Sequence, residues 1–491
     1  MYPLLIFSLI LVYFGFLMLI SWLTTKGGNQ TNEDFFIGKK VSPWYVVAFG
    51  MIGASLSGVT FISVPGAVGN LAGTNGYFSY LQVALGYTLG YWIIATVLMP
   101  IYYRLNLVSI YTYLEQRLGV FSYKTGAAFF LLSRTIGASF RLYLVALVLQ
   151  TFVFDAWGVP FFANILFTLL LIWLYTLRGG IKTIVWTDTL QTALMLLTVI
   201  FTIIFISNAL GYSIGELPQK IWHSRYAKVF FFDNINEDRY FWKQFLSGVF
   251  IAIAMTGLDQ DMMQKNNSCK NINEAQWNMF SFSGVLLLVN VLFVSLGALL
   301  YLYANAMHID LPAGTDKTFP TLALNYFPPT MGIFFLLGLI AAAYSSADSA
   351  LTALTTSFCI DFLDMDKNRL KKSVASLQNT RHYVHIGFAL LIFLCILSFK
   401  YLLQEAVVSA VFRVASYTYG PLLGLFFFGI FTKYKVNDKF VPLVCLVSPA
   451  ICYFLQANSE QLFNGYKFGF ELLILNGLLT FVGLLLIAKK T

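Results

Sequence analysis

The sequence predicts an all-α polytopic membrane protein, and three observations carry that prediction. Of its 491 residues, 58% are hydrophobic and only 11% charged, whereas a soluble chain carries about 25% charged residues. Apolar runs of about 17 residues or more, the length needed to cross a bilayer as a helix, recur along the whole chain. The Lys and Arg residues outside those runs are dense in every second connection and sparse in the others, the pattern that orients membrane helices.

Taken in order, the apolar runs give about thirteen transmembrane helices, at 3–23, 44–66, 77–102, 123–152, 159–177, 183–208, 242–263, 278–306, 329–360, 383–399, 405–430, 440–456 and 467–488. The first lacks a basic flank and a small-residue cleavage site, so it reads as a retained helix rather than a signal peptide. Twenty basic residues, Lys265 among them, fall in one set of connections and eight in the other. That predicts an outward N-terminus and a cytoplasmic C-terminus in the plasma (inner) membrane. The net charge of +9 is therefore topological, and nucleic-acid binding is not expected. The aromatic load of 48 Phe, 28 Tyr and 9 Trp reads mostly as lipid-facing surface and interface belt. The five cysteines show no disulfide or metal-ligand spacing. The four histidines, His223, His308, His382 and His385, sit in loops or at span ends, so no catalytic cluster forms and no enzyme is predicted.

The second run, Trp44 to Gly66, carries Gly53, Ser55, Ser57 and Gly58 at its middle. That composition weakens a helix where lipid offers the backbone no substitute partner. A close-packing Gly/Ser face would look the same. A broken helix lining a cavity would instead free carbonyls able to hold a cation. The ninth run places Ser345, Asp348 and Ser349 at i, i+3 and i+4, on one helix face. An ionised carboxylate in lipid needs a partner, and the candidate is a second acid, Asp188, so that the pair holds either a proton or a cation. Sodium coupling and proton coupling both fit.

Three arginines, Arg134, Arg141 and Arg413, lie inside runs. A charge at that depth costs about 2.5–3.5 kcal/mol on insertion scales, which marks each as a functional candidate. Asp259 and Gln260, with Asp261, lie at the cytoplasmic end of the seventh run and suit an inner gate or a helix cap, and Arg413 a structural or gating contact.

The motifs resemble the sodium/solute symporters, the family of the sodium–glucose, sodium–proline, sodium–iodide and sodium–sialic acid transporters. The matching text is EDFFIG from Glu33 to Gly38, the broken run leaving through Val64, Pro65 and Gly66, and GGIKTIVWTD from Gly179 to Asp188. It continues with TGLDQDMMQ from Thr256 to Gln264, AAAYSS from Ala341 to Ser346 and YGPLLGLF from Tyr419 to Phe426. The resemblance covers nearly the whole chain, which would form a single transmembrane domain. It implies a leucine-transporter-type five-plus-five inverted repeat, with 44–208 and 242–430 as the repeats and 3–23 and 440–488 peripheral. The seventh run would be the second broken helix.

The resemblance also implies a first sodium at the carbonyls of Gly53, Leu56 and Ala342 and the hydroxyls of Ser345 and Ser346. A second sodium would lie at Asp188, Asp348 and Ser349. Polar substrate contacts would come from Ser55, Ser57, Thr60 and Gln82. In the sialic acid branch an arginine of the fourth helix grips the substrate carboxylate, and the 47-residue spacing to Asp188 favours Arg141. The implied function is import of a small polar solute with sodium, a carboxylated sugar such as sialic acid being the sharpest candidate. A neutral sugar, amino acid or monocarboxylate remains an alternative. The transport unit is expected to be a monomer in the bilayer.

Overall fold

A computed structural model describes residues 3–25, 42–365, 374–402 and 407–489, with residues 3, 5, 25, 177–180, 182, 374, 375, 402 and 409 given by their backbone alone. The EDFFIG motif at 33–38 lies outside the described residues, as do eight of the basic residues used for orientation. The long helices are α1 Pro3–Thr25, α2 Trp44–Leu56, α3 Gly58–Ala67, α4 Tyr80–Ile93, α5 Val120–Leu149, α6 Phe161–Ala209 and α7 Phe241–Ala252. They continue with α8 Gln260–Asn267, α9 Ile272–Ala306, α10 Pro329–Ser357, α11 Val374–Leu402, α12 Val407–Phe431, α13 Val441–Ala457 and α14 Leu472–Leu486. Among the described residues, nine helices are long and apolar enough to cross a membrane. Two bent pairs raise that to eleven, and Phe161–Thr176 and Leu472–Leu486 are shorter apolar stretches.

The second run is broken. Between α2 and α3 the axis turns by 58°, and the turn sits at Ser57, whose φ of 24° and ψ of 170° put a non-glycine residue in sparsely populated backbone space. Such strain persists only where its surroundings over-determine it. The seventh run is broken too: α7 passes through a π-helical turn at Ile253–Gly257, then bends by 65° into α8. The break thus falls beyond the glycine, at Leu258 and Asp259, where the Asp259 carboxylate caps α8 by accepting from Asp261 N and Met262 N. The two runs expected at 159–177 and 183–208 fall within the one helical element α6, where a loop was expected between them.

Packing brings the two breaks to the centre. The α6 helix packs on α10 and α2, α4 on α7, and α5 on α10 and α12. The α4–α7 crossing is tight because Gly86 and Gly248 face each other: a Cβ on Gly86 would lie 2.9 Å from the Gly248 Cα. The final helix α14 covers α12, and a short antiparallel pair, Lys435 with Lys489, ties the start of α13 to the chain's last described residues.

One expectation about charge is overturned. Lys265, counted in a cytoplasmic connection, is 1% exposed, and every residue of α8 is buried. The stretch is polar, so composition reads it as a loop. In the fold each polar group finds an internal partner, and that makes burial tolerable. Gln260 donates to Val108 O (2.8 Å) and accepts from Ile110 N (3.0 Å), and Asn278 Nδ2 donates to Asn266 Oδ1 (2.5 Å).

Candidate functional site

The end of α2 faces the middle of α10. Last-turn carbonyls of a helix have no intrahelical donor. Here Gly53 O accepts from Ser57 N at 3.1 Å and Ala54 O from Ser346 Oγ at 3.3 Å. Leu56 closes α2, and Ala342 lies fully inside α10 one turn before Ser345 and Ser346. The carbonyl and hydroxyl oxygens found at this contact, Ala54 O with Ser346 Oγ and Ser345 Oγ beside Gly53, are hard donors suited to a small cation rather than to soft-metal chemistry. Gly53 allows the approach: its N–H donates to Thr192 Oγ1 at 3.0 Å, and a Cβ there would run into that hydroxyl and come within 3.4 Å of Ser345 Oγ. Gly53→Ala is therefore expected to cost about 1–3 kcal/mol of stability through overpacking. A lowered melting temperature that Thr192→Ala partly restores would show it.

Beside this cradle lie the two expected acids. Asp188 accepts from Ser345 Oγ (2.6 Å) and Ser349 Oγ (3.3 Å). Asp348 accepts from Tyr175 OH (2.7 Å) and from Ser349 N (2.6 Å), and among the described residues it has no ion-pair partner. The charge opposite Asp188 was missed in the sequence. Lys265 Nζ stands 2.7 Å from Asp188 Oδ2, donates to Ser349 Oγ at 2.8 Å, and lies 3.7 Å from Asp261 Oδ1. The Asp188, Asp348 and Ser349 group, expected to receive a second sodium, thus already touches an ammonium at two of its three members.

A cavity of about 70 Å³ opens next to the α2–α3 break. Ser55, Ser57 and Thr60 line it, as expected, together with Tyr87, Thr256 and Asn290, which the sequence did not single out. Both arginines of α5 reach it, and they differ. Arg134 is spent internally: Nη2 donates to Asp261 Oδ2, and Nη1 lies 3.8 Å from Asp259 Oδ2. Arg141 is 8% exposed, and its Nη1 is buried with no hydrogen-bond partner. Among the described residues it has no ion pair. A planar, charged fork with a free donor against a cavity can pair with an anion.

The remaining candidates sit elsewhere. Gln82, expected at the substrate, is fully buried away from the cavity, donating to Arg239 O (3.0 Å) and accepting from Phe231 N (3.2 Å). Its amide is spent holding the long 209–241 connection onto α4, a role the sequence could not distinguish from solute contact. Asp259 and Gln260 sit at the bend between α7 and α8: Asp259 Oδ2 accepts from Tyr419 OH at 2.6 Å, which ties α8 to α12. Arg413 is exposed on α12 and does not line the cavity.

Known proteins resemble this chain along its length. It is 26% identical over 438 residues to the human sodium/iodide cotransporter, covering 85% of this chain but only 65% of that protein. It therefore spans slightly less than two thirds of that relative. It is 25% identical over 444 residues to the sodium/sialic acid symporter of Proteus mirabilis, covering 86% of this chain and 84% of the relative. The solved structure of a Na+-coupled sialic acid symporter in a substrate-bound outward-open state superposes with a TM-score of 0.82 at 21% identity, over 100% of both chains. That likeness establishes the leucine-transporter type of fold. The profile of the sodium:solute symporter family matches residues 35–439, and with most of its length inside that match the chain belongs to the sodium:solute symporter family.

Proposed function

We propose that this protein is a sodium-coupled secondary symporter importing a small carboxylated solute, of which sialic acid is the sharpest candidate. The observation that carries the reading is the unpaired Arg141 guanidinium against the cavity beside the α2–α10 cradle. The relatives add support, since the names of both contain an anion, iodide in one and sialic acid in the other. Sodium would be held by the carbonyls of Gly53, Leu56 and Ala342 with Ser345 and Ser346. Its binding would draw the strained Ser57 turn against α10 and complete the solute pocket formed by Ser55, Ser57, Thr60 and Arg141. Residues 44–208 and 242–430 would be the inverted repeats, each opening on one of the two broken helices. The N-terminus would face outward and the C-terminus the cytoplasm, since the basic excess survives the removal of Lys265 from the count.

A thermal-shift screen with and without sodium tests this. Sodium and sialic acid together should stabilise the protein more than either alone. Ser345→Ala and Ser346→Ala should each raise the sodium needed by about tenfold or more, as expected for losing one charge-assisted contact of about 1.5–3 kcal/mol. Stabilisation by neutral sugars only would sink the anion reading.

Asp348 favours a second reading. A buried carboxylate with hydroxyl and amide donors but, among the described residues, no direct ion-pair partner is suited to carry a proton or a mobile cation. Uptake driven by an acid gradient without sodium, and lost in Asp348→Asn, would establish proton coupling instead.

A further inference from the structure

We propose that Lys265 is a tethered resident cation in the carboxylate pocket, so that the transport cycle loads one sodium ion rather than two. The inference rests on the sodium reading above and fixes its stoichiometry. An ammonium has three donors, and Lys265 Nζ meets three oxygen-bearing groups: Asp188 Oδ2 at 2.7 Å, Ser349 Oγ at 2.8 Å and Asp261 Oδ1 at 3.7 Å. Asp188 and Ser349 are the side chains a second sodium would need. An ion entering there would meet a like charge at contact distance in a site closed to water, where repulsion is least screened.

The lysine is also held in place. It sits on α8, whose first turn is capped by Asp259, whose Asp261 is clamped by Arg134, and whose Gln260 is bonded to the 108–110 backbone. At 1% exposure its ammonium is shielded from solvent. The single-ion cycle has a consequence for energetics. One sodium carried with a monovalent carboxylate moves no net charge, so the membrane potential adds nothing to uptake and the sodium concentration gradient supplies the whole drive.

Equilibrium binding of radioactive sodium to the purified full-length protein in detergent tests the proposal. Wild type should bind one ion per chain. Lys265→Ala should bind two, and Lys265→Arg, which keeps the charge, should stay at one. Two ions in wild type, or one in both wild type and Lys265→Ala, would overturn the tethered-cation assignment and leave sodium coupling standing. No bound sodium in wild type would remove the sodium reading and this inference with it. Should Lys265→Ala not fold, Ser346→Ala decides: its single sodium-binding isotherm should shift about tenfold to higher sodium, whereas an ion that still binds with wild-type affinity would place a sodium in the carboxylate pocket and overturn the proposal.

Discussion

Arg141→Ala is expected to weaken binding of a carboxylated solute by about 2–5 kcal/mol, roughly 30- to 4,000-fold, the range for removing one partner of a buried hydrogen-bonded charge pair. The effect should be large because nothing else can take over. Arg134, two turns earlier on the same helical face, has its guanidinium engaged by Asp261 and Asp259. Arg141→Lys should recover only part of the loss, since a compact ammonium cannot present two parallel N–H groups to a carboxylate. The measurement is solute affinity by thermal shift or competition in saturating sodium, with the sodium-only shift retained as the sign that the cradle still folds. Arg134→Ala should behave differently. It strands two buried carboxylates, so its main effect should fall on melting temperature rather than on solute affinity. Unchanged affinity for carboxylated solutes in Arg141→Ala would remove the anion-binding role.

The sequence showed the fold most clearly where chemistry conflicts with its surroundings. Glycines and serines in the middle of an apolar run marked the first break, and the structure places the bend there, at Ser57. Hydroxyls and an acid at helical spacing, Ser345, Asp348 and Ser349, marked the face of α10 that meets α6 at Asp188 and Tyr175, while the neighbouring Ser346 touches the end of α2. What stayed hidden was burial of polarity satisfied from a distance. Nothing local shows that the polar groups from Asp259 to Asn267 are buried rather than solvated, because their partners Val108, Arg134 and Asp188 lie far away in the chain. The i, i+4 spacing of Asp261 and Lys265 was the one available signal, and it suits a helix, exposed or buried. Gln82 failed in the opposite direction: a lone amide on an apolar helix looked like a solute contact, while its fold partner is the backbone of a connection some 150 residues on. Spacing in the sequence already favoured Arg141 over Arg134, and the structure adds which of the two charges is already paired.

Asp188→Ala is expected to be the most destabilising single change at the site, at about 3–5 kcal/mol, because it leaves a buried ammonium without its close counter-ion. Lys265 would retain only Asp261, at 3.7 Å and already shared with Arg134. On the scale of ordinary globular domains that loss is on the order of 10 °C in melting temperature. The double variant Asp188→Ala with Lys265→Met should recover most of it, since an apolar chain of similar length in place of a buried pair is often neutral or better. The two changes should therefore be non-additive by about 2 kcal/mol or more. Lys265→Met alone strands the opposite charge, and its behaviour should depend on the buffer. Asp188, Asp348 and Ser349 then present an anionic oxygen cage with no resident cation, which sodium can neutralise and the bulkier choline cannot enter. Melting curves in sodium chloride and choline chloride should consequently separate further for Lys265→Met than for wild type. If the two variants' losses simply add, or if sodium protects Lys265→Met no better than wild type, then Asp188 and Lys265 do not act as a charge pair and the pocket has no need of a cation.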